Sequence, residues 1–500
     1  MFVSSLPLWR SPLLRRVGAI GVILLAAACA GPIPPTSAPA AGTPVTVSSP
    51  AAHVSSSPVA GFFAVDQGLG EPMDPTLGNL GYDVSHYEID IAWDPVTRTL
   101  DAHVTVTATA TVSMDTVNLD FIGFQIDEVT VDGARAEVAR TERDIRVRPI
   151  APLAAGRQFS VSIHYHGTPQ PFKSASGFFI PLGWNEAGGT EYVVSEPDGA
   201  RAWFPCNDVP SDKATFTFRL TVPRPLVAAA NGRLVDTVNA PDRATWVWEM
   251  DDPMAAYLAT VVIGHEAIVD DPTSSAAAGV PVRNVLPTDS YKLQDSLQQT
   301  LVRQGDMIAF FSDLFGPYPF DASGVAVVPG LMGSLEGQTL IITGALLEGV
   351  LAHEVAHQWF GDDVSVAHWQ DIWLNEGFAT YAEWLWEDHR GRATLAEEVA
   401  FAYDELLGHG FPPPGSPAPG DLFSKSVADR GALTLQALRV RVGSRAFFLI
   451  LRAWVERYGG RSVSTEDFIA LAQEVSGVDV GSLFGEWLYQ DAMPPMPVAK

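Results

Sequence analysis

A short array of histidine and glutamate residues constrains this chain more than any other feature of its sequence. His353, Glu354 and His357 form an H-E-x-x-H array, and Glu376 follows inside the tripeptide N-E-G. Residues four apart lie on one face of an α-helix, so the two imidazoles can bind one metal ion while Glu354 reaches a water molecule beside it. A carboxylate such as Glu376 is the expected third ligand for Zn²⁺ bound by two histidines. The array therefore predicts a hydrolytic site with one zinc ion per chain.

The segments around the array have the periodicity of helices. Apolar residues recur at near-helical spacing from Leu347 to Trp359, and the pattern ends at Gly361. A second segment, residues 372–386, is equally helical and carries Glu376. An isolated H-E-x-x-H arises by chance in roughly a few of every hundred chains of this length. Because the helical context and the third ligand are also present, we interpret the array as a metal site.

Composition limits the class of protein. The chain has 500 residues, of which 47% are hydrophobic, and this is enough for more than one domain with its own core. The formal net charge of −27 argues against nucleic acid as a partner and favours a soluble surface outside the cytosol. We expect a monomer.

The N-terminus, residues 1–28, has the pattern of a lipoprotein signal peptide. Three arginines precede an apolar run, residues 17–28, that is too short to span a bilayer. Small residues then precede Cys29, as in a bacterial lipobox, although Leu25 stands one place early. We expect export to the outer face of the cytoplasmic membrane, with a lipid on Cys29 as the only membrane contact; ordinary cleavage and secretion are the alternative. Cys206 is then a lone thiol, which we interpret as a small buried hydrophobe.

Changes in pattern divide the rest of the chain into three segments. Residues 29–73 consist mainly of Pro, Ala, Ser, Thr and Gly and are expected to form a disordered tether. Residues 74–268 show apolar alternation of period two, as in Tyr87–Trp93 and Phe216–Val222, which predicts an antiparallel β-domain. Residues 269–500 change to helical periods and are expected to form a thermolysin-like, mainly helical zinc metallopeptidase domain. The predicted fold class is α+β with several domains.

Individual helices of the second half are also predicted. Apolar spacing from Leu293 indicates one long amphipathic helix that ends before Gly316. Further helices are expected around residues 431–441, 446–458 and 468–475, and Ser464 is expected to cap the last of them.

Longer motifs carry a family resemblance. The segment His353–Gly361 has the sequence HEVAHQWFG, residues 373–379 have WLNEGFA, and residues 200–216 have ARAWFPCNDVPSDKATF. Together with the closing Trp487-Leu488-Tyr489, these motifs closely resemble the gluzincin zinc aminopeptidases of the aminopeptidase N type. The resemblance covers about residues 74–495. The chain looks like a short bacterial lipoprotein form of a family whose larger members carry further domains.

The resemblance implies a site for the free amino group of a peptide substrate. Residues 333–337, GSLEG, stand in the place of the family's G-x-M-E-N motif, so Glu336 is implied to bind the α-amino group. Glu196 lies in a segment that resembles the source of a second amine-binding acid. Two carboxylates that fix an ammonium group leave only the first peptide bond within reach of the zinc. Peptides with a free N-terminus are thus the expected partners, although Leu335 and Gly337 depart from the motif.

The expected mechanism assigns a role to each residue. The two histidines of the array and Glu376 hold Zn²⁺, which lowers the pKa of a bound water and polarises the scissile carbonyl. Glu354 takes a proton from the water and passes it to the leaving amine. Asp371 is expected either to orient a zinc histidine or to be a surface acid. His368 and His389 are interpreted as structural residues.

One departure from the family pattern bears on activity. The family carries a tyrosine ahead of an R/K-G-A segment, where its hydroxyl stabilises the tetrahedral oxyanion, and this chain has Ala428 at that place. The loss of one oxyanion donor costs about 10²–10³ in turnover. Tyr381 and Tyr403 are near in sequence, and we interpret both as packing residues. The alternative to an aminopeptidase is therefore a zinc-containing peptide-binding protein that turns over poorly. A zinc endopeptidase is disfavoured by the two amine-binding acids, which would reject an internal segment.

Overall fold

Strands dominate the first part of the chain, and helices dominate the second. The structure is a computed structural model that describes residues 68–71, 73–288, 295–344 and 347–497. The predicted signal peptide, Cys29 and most of the predicted tether lie outside the described residues. Near the end of that tether, Glu71 is buried and accepts a hydrogen bond from the Trp369 amide. The prediction of disorder is therefore wrong for the last residues of this segment.

The longest strands of the described residues lie in the first half of the chain, and those of the helical half are short. In chain order they are β1 (Tyr82–Asp94), β2 (Thr99–Ala110), β3 (Val117–Asp120), β4 (Gln125–Val131), β5 (Ala134–Arg135), β6 (Glu137–Arg140), β7 (Asp144–Arg148), β8 (Gln158–Gly167), β9 (Gly183–Ala187), β10 (Thr190–Val194), β11 (Lys213–Pro223), β12 (Val227–Ala230), β13 (Arg233–Asn239), β14 (Arg243–Ala255), β15 (Val261–Gly264), β16 (Glu266–Asp270), β17 (Arg283–Pro287), β18 (Val325–Val327), β19 (Ser334–Leu335), β20 (Ile341–Thr343), β21 (Ser365–Val366) and β22 (Ser462–Val463).

These strands form sheets of different size. The largest has eight strands in the order β13-β14-β11-β1-β2-β8-β4-β5. Smaller sheets have the orders β12-β15-β10-β9, β3-β7-β6, β16-β17-β18-β20-β19 and β21-β22. In the eight-stranded sheet all neighbours are antiparallel except β1 and β11, which run parallel with His86 opposite Thr215. The predicted antiparallel arrangement thus has one exception, which is possible because the long connection between these two strands removes the constraint of a hairpin.

Alternation of apolar and polar side chains explains the strands of the large sheet. In β2, Val104, Val106 and Ala108 are buried, while Thr105 and Thr107 face partly outwards. Period-two burial places the apolar residues on one face, where β-branched side chains pack well. The chain from Gln67 to Lys500 is one compact unit, and nearly all of its buried apolar residues among those described form a single continuous cluster.

The helices of the described residues lie after the large sheet. They are α1 (Pro272–Ala278), α2 (Asp295–Leu301), α3 (Gln304–Phe315), α4 (Glu348–His357), α5 (Trp373–His389), α6 (Leu395–His409), α7 (Gly431–Val442), α8 (Ser444–Tyr458), α9 (Thr465–Ser476) and α10 (Gly481–Tyr489). A 3₁₀ turn precedes α5 at Trp369–Asp371, and a π-helical turn precedes α7 at Ser426–Arg430. Within the described part of the chain, no helix is both long enough and apolar enough to cross a membrane.

The helical predictions are confirmed with one exception. Helices α7, α8 and α9 occupy the expected segments, and Ser464 caps α9 by accepting from the Asp467 amide. The single long helix expected to end before Gly316 is instead two helices, α2 and α3, so that prediction was wrong. At the start of α3, a Cβ on Gly305 would lie 2.5 Å from the backbone of Ser274 in α1. Apolar spacing does not reveal this tertiary contact, which lies at the second residue of α3.

Close packing of α7 on α5 fixes the helix that carries the third predicted ligand. A Cβ on Gly377 would lie 2.8 Å from the Cα and carbonyl carbon of Gly431. Only glycine permits two backbones to approach so closely. Because Gly377 follows Glu376 directly, this contact determines the position of the Glu376 backbone.

Candidate active site

Helices α4 and α5 bring the three predicted ligands together. His353 and His357 lie one turn apart on α4, and Glu376 lies in the first turn of α5. The Glu376 carboxylate oxygens are 3.5 Å from His353 Nε2 and 4.0 Å from His357 Nε2, and the three ligand atoms lie within 4.8 Å of one another. Two ligands that each bind one tetrahedral zinc ion at about 2.1 Å are about 3.4 Å apart. The residues present therefore fit a zinc ion with three protein ligands.

Both imidazole rings are held with Nε2 towards this position. The Nδ1 atom of His357 is 3.1 Å from the carbonyl oxygen of Phe360. The Nδ1 atom of His353 faces the carboxylate of Glu383 at 3.9 Å. Glu383 also lies against α4, since a Cβ on Gly349 would be 2.7 Å from its Oε1. The Phe360 carbonyl fixes the tautomer and the orientation of His357, and the Glu383 carboxylate places a negative charge beside His353.

Burial sets the protonation of the ligands. It lowers the pKa of His353 to about 4, although the charges of Glu336 and Asp429 act in the opposite direction. Burial also lowers the pKa of His357, so both imidazoles are neutral near pH 7 and can donate a lone pair. The pKa of Glu376 is raised by burial and lowered in part by His357. A divalent cation between these groups would favour the ionised carboxylate.

Glu354 lies on α4 between the two histidines and is buried. Burial raises the pKa of its carboxyl group well above the ordinary value, and the charges of Glu336 and Glu376 raise it further. A carboxylate with a raised pKa is a stronger base towards a water molecule than an exposed one. The predicted general base is thus placed in an environment that suits proton transfer.

Glu196 and Glu336 lie beside the predicted metal ligands. Ligand oxygens of these two residues and of Glu376 are all within 4.8 Å of one another. Both side chains are buried, and the Oε1 atom of each lacks a hydrogen-bond partner among the described residues. Burial, and then the charge of Glu336, raises the pKa of Glu196. Since buried carboxylates with unpaired oxygens are stabilised by a cation, these two residues form a candidate ammonium site.

Gln358, the residue after the H-E-x-x-H array, joins α4 to the segment of Glu336. Its Nε2 donates to the carbonyl oxygen of Glu336 at 3.0 Å and to Asp362 Oδ2 at 2.6 Å. Its Oε1 accepts from the Tyr318 hydroxyl at 3.1 Å and from the Thr339 amide at 2.9 Å. The side chain is fully hydrogen-bonded, so it fixes the segment of Glu336 relative to α4.

Two side chains from the first part of the chain reach the metal helices. The Tyr257 hydroxyl donates to the Gly361 carbonyl at 3.1 Å and accepts from Asn375 Nδ2 at 3.4 Å. Lys213 Nζ donates to the carbonyl oxygens of residues 362 and 363 at 2.7 and 2.8 Å. Burial lowers the pKa of Lys213 to about 8. These contacts connect the first part of the chain to the residues that follow His357 and to Asn375, which precedes Glu376.

Three residues singled out from the sequence lie elsewhere. Asp371 is buried, and its Oδ1 accepts from the amide and the hydroxyl of Thr465. Both expectations for Asp371, an orienting acid and a surface acid, were wrong, because the acid instead anchors the start of α9. His368 contacts Glu71 at 3.1 Å, and His389 stacks on a phenylalanine of α3. Both histidines have the structural roles expected for them.

The tyrosines and the cysteine also have the expected packing roles. The Tyr381 hydroxyl donates to Gln436 at 2.7 Å, and the Tyr403 hydroxyl donates to the Pro494 carbonyl at 3.1 Å. Cys206 is fully buried as a free thiol. Ala428 lies in the π-helical turn before α7 and offers no polar side-chain atom. None of these residues supplies a hydroxyl to the metal position.

Sequence reasoning missed three residues of the site. Glu383 could have been found, because it lies seven residues after Glu376 and so on the same face of α5. Gln358 and Tyr257 gave no usable signal, since a glutamine after a histidine and a tyrosine after a strand are common in any sequence. Their roles follow only from the positions of segments far apart in the chain.

Comparison with known proteins agrees with this arrangement. A model of the peptidase M1 N-terminal domain matches residues 84–258, and a model of the peptidase family M1 domain matches residues 342–487. The chain belongs to peptidase family M1. The predicted family and fold class are confirmed, with a β-rich first part and a helical second part as in other M1 metallopeptidases.

The match covers the whole of a solved structure but only part of the length of the curated relatives. A mutant M1 zinc metallopeptidase from Deinococcus radiodurans, bound to a Tyr-Ser-Ala substrate, is 32% identical with a TM-score of 0.80; the match covers 87% of this chain and 100% of that one. Aminopeptidase M1-B of Oryza sativa subsp. japonica is 28% identical over 60% of this chain and 37% of its own length. Endoplasmic reticulum aminopeptidase 1 of Homo sapiens is 26% identical over 82% of this chain and 50% of its own length. The chain thus spans half or less of these two curated relatives.

Proposed function

We propose that this chain is a zinc-dependent aminopeptidase that removes the first residue from peptides with a free N-terminus. The observation that carries the proposal is the pair of buried acids, Glu196 and Glu336, beside Glu376. A peptide's α-ammonium group satisfies their unpaired oxygens. Its first carbonyl then lies next to the position defined by His353, His357 and Glu376. The name of the rice relative and the substrate of the bacterial relative support the same activity.

The chemistry divides between the metal and the side chains. The two histidines and Glu376 would hold Zn²⁺, and the bound ion would supply the Lewis acidity that makes a water molecule more acidic and polarises a carbonyl group. Glu354 accepts the proton that the water loses as its oxygen bonds to the scissile carbonyl carbon. When the carbon–nitrogen bond breaks, Glu354 returns that proton to the leaving amine. The reaction consumes one water and leaves Glu354 ionised for the next cycle.

The amine-binding acids account for restriction to the chain end. An internal peptide segment would place a neutral amide, with bulk on both sides, against two buried carboxylates. Those acids would then remain without a cation, at a cost of about 1–3 kcal/mol or more for each unsatisfied buried group. A free ammonium group avoids this cost. Selectivity therefore follows from the substrate's charge.

The test compares free and blocked substrates on the full chain with its zinc content measured. Ala-Ala-Ala should be hydrolysed from its first residue, and N-acetyl-Ala-Ala-Ala should not be hydrolysed. The Glu354→Ala variant should bind zinc as the natural chain does and show no turnover. Cleavage of the acetylated peptide, or equal rates with Glu354→Ala, would refute the proposal.

A second candidate function is favoured by Ala428. A zinc-containing peptide-binding protein would retain the metal and the amine-binding acids yet turn over slowly, because the expected oxyanion hydroxyl is replaced by a methyl group. Peptide binding with no measurable hydrolysis, and a gain of about 10²–10³ in turnover for Ala428→Tyr, would establish this second function. Comparable, measurable rates of hydrolysis for the natural chain and for Ala428→Tyr would establish the aminopeptidase function instead.

We also propose that the chain is an exported monomer anchored by a lipid on Cys29. The support is the sequence pattern of residues 1–29. In bacteria expressing the full chain, labelled palmitate should enter the protein and should be lost in Cys29→Ser. Release of an unlabelled protein into the medium would favour secretion instead. Light scattering on detergent-solubilised protein gives the oligomeric state.

A further inference from the structure

We propose that His164, His166 and Asp127 form a second metal site, which binds a divalent transition-metal ion such as Zn²⁺ or Cu²⁺ on the outer face of the eight-stranded sheet. This site goes beyond the aminopeptidase function and does not depend on it. Both histidines lie on β8, and Asp127 lies on the neighbouring strand β4. None of these residues belongs to the motifs of the site on α4 and α5.

Strand geometry places the two histidines side by side. Residues two apart in a strand lie on the same face, about 6.5–7 Å apart along the chain. Between them, Tyr165 points into the core, where it is fully buried and its hydroxyl donates to the Trp203 carbonyl at 2.6 Å. The side chains of His164 and His166 are 39% and 46% exposed. The core contact therefore anchors β8, while both imidazoles remain accessible to an ion from solvent.

A β-bulge brings Asp127 towards the two imidazoles. The register of β4 against β8 shifts around Asp127, so this residue is the extra one in its strand. Bulges redirect a side chain and recur beside functional sites. The Oδ2 atom of Asp127 is 2.6 Å from His166 Nδ1 and 3.9 Å from His164 Nδ1. One carboxylate oxygen is therefore close to a ring nitrogen of each histidine.

These distances are near those that a bound ion requires. Two ligand atoms bound to one tetrahedral zinc ion at about 2.1 Å are about 3.4 Å apart. The distance from Asp127 to His166 is shorter than this value and the distance to His164 is longer, so the three side chains must rotate to close around the ion. Exposed side chains reorient within nanoseconds. His166 would bind through Nδ1 as the tautomer whose proton is on Nε2.

Asp101, on β2, orients His164 for metal binding. The Oδ1 atom of Asp101 is 3.0 Å from His164 Nε2. When Nε2 carries the proton, it donates to this carboxylate, and Nδ1 keeps a lone pair on the side of Asp127. Histidines that bind metals almost always donate their other ring N–H in this way. A nitrogen lone pair close to a carboxylate oxygen is repulsive, and a cation bound to both atoms turns the repulsion into attraction.

The charges around these residues favour a transition-metal cation. The hydrogen bond from His166 lowers the pKa of Asp127, so this carboxylate is ionised near pH 7. Two further acids are direct cross-strand neighbours of the histidines, since Glu128 lies opposite His164 and Asp101 lies opposite His166. Imidazole nitrogens suit Zn²⁺ and Cu²⁺, whereas Ca²⁺ and Mg²⁺ require oxygen ligands. The mixed set of nitrogen and oxygen atoms therefore defines the class of ion.

The first experiment measures zinc binding to the full chain, prepared without a histidine tag, by dialysis against a series of buffered Zn²⁺ concentrations. The natural chain should bind one more zinc ion than His166→Gln or His164→Gln. Asp101→Asn should weaken the binding of this additional ion by about 10–100-fold, the usual effect of losing the hydrogen-bond partner of a metal ligand. The matched control, His409→Gln, changes an exposed histidine at the end of α6 and should retain the additional ion. All four variants alter surface residues, so their unfolding free energies without metal should stay within about 0.5 kcal/mol of the natural value.

A spectroscopic measurement identifies the ligands. Cu²⁺ binds sites of this kind more tightly than Zn²⁺, and its electron paramagnetic resonance spectrum shows splitting from each bound nitrogen. One equivalent of Cu²⁺ added to the zinc-loaded chain should show two imidazole nitrogens, and His166→Gln should lose this signal while His409→Gln keeps it. Equal zinc uptake by the natural chain and His166→Gln, or the same Cu²⁺ spectrum in both, would overturn the proposal whether or not the chain hydrolyses peptides.

Discussion

The contact between Gly377 and Gly431 offers the sharpest test of how packing sets the metal site. In Gly377→Ala, the new Cβ would lie 2.8 Å from two backbone atoms of Gly431 and 3.1 Å from the Ala432 amide nitrogen. Ordinary carbon contacts are about 3.5–4.0 Å, so α5 and α7 must separate by about an ångström. Alanine gains about 0.5–1 kcal/mol over glycine inside a helix, whereas overpacking costs about 1–3 kcal/mol. Backbone atoms cannot move aside as a flexible side chain can, so the cost of overpacking should exceed the gain in helix propensity. The free energy of unfolding should fall by about 1–2 kcal/mol.

The assay for Gly377→Ala has two readouts. Chemical denaturation of the metal-free protein should show the lower free energy of unfolding, and chelator competition should show zinc binding weakened by about tenfold, since about 1.4 kcal/mol is a factor of ten. The matched control is Gly485→Ala, in α10, where an added Cβ meets nothing within 4 Å. That variant should be more stable than the natural chain by about 0.5–1 kcal/mol and bind zinc normally. A Gly377→Ala protein as stable as Gly485→Ala would refute the reasoning.

Three further predictions concern the surroundings of the site. Glu383→Gln removes the negative partner of His353 and should weaken zinc binding by about 10–100-fold, measured by chelator competition. Glu71→Ala leaves the Trp369 amide without its acceptor and should lower the free energy of unfolding by about 1–3 kcal/mol, measured by denaturation. Glu354 acts as a base only when ionised, and its pKa is raised by burial. Activity should therefore be lost as the pH falls through a value above 4.5, the ordinary pKa of glutamate, in a pH profile of kcat/KM.

Each of these predictions has its own control. Glu387→Gln changes the next acid along α5, which pairs with Arg392 at 2.7 Å, and should leave zinc affinity unchanged; equal effects at Glu383 and Glu387 would contradict the first prediction. Glu128→Ala, at an exposed position, should leave stability within about 0.5 kcal/mol, and a similar loss there and at Glu71 would contradict the second. A rate that stays constant down to pH 4.5 would show that burial does not raise the pKa of Glu354 in the active protein.

The local part of the site could be predicted because helix geometry is local. Once His353 and His357 are four residues apart on a helix, their side chains share a face whatever surrounds them. The same logic gave β1, β2 and β11 of the large sheet, where buried and more exposed residues alternate over most of each strand, and the capped start of α9 at Ser464. The position of Glu196 beside Glu336 was reached only through family resemblance, since 140 residues separate them.

The wrong predictions concern features that depend on contacts between distant segments of the chain. Asp371 was assigned from its distance in sequence to Glu376, yet its carboxylate turns to Thr465 because α9 packs there. The long helix expected before Gly316 is interrupted between Leu301 and Gln304, next to the contact of Gly305 with α1. In both cases a partner distant in the chain decided the outcome, and apolar spacing carries no information about such partners.

The sequence by itself determined the fold class and the residues able to bind a metal, because motif spacing and periodicity are properties of adjacent turns and strands. Its longer motifs indicated the family by resemblance. The tertiary structure alone decided how these residues are held and charged. The Phe360 carbonyl orients His357, Glu383 places a carboxylate beside His353, and Gln358 ties the segment of Glu336 to α4. Burial lowers the pKa of His353 and raises that of Glu354. Orientation and burial depend on which segments surround a side chain, and those segments come together only when the whole chain has folded.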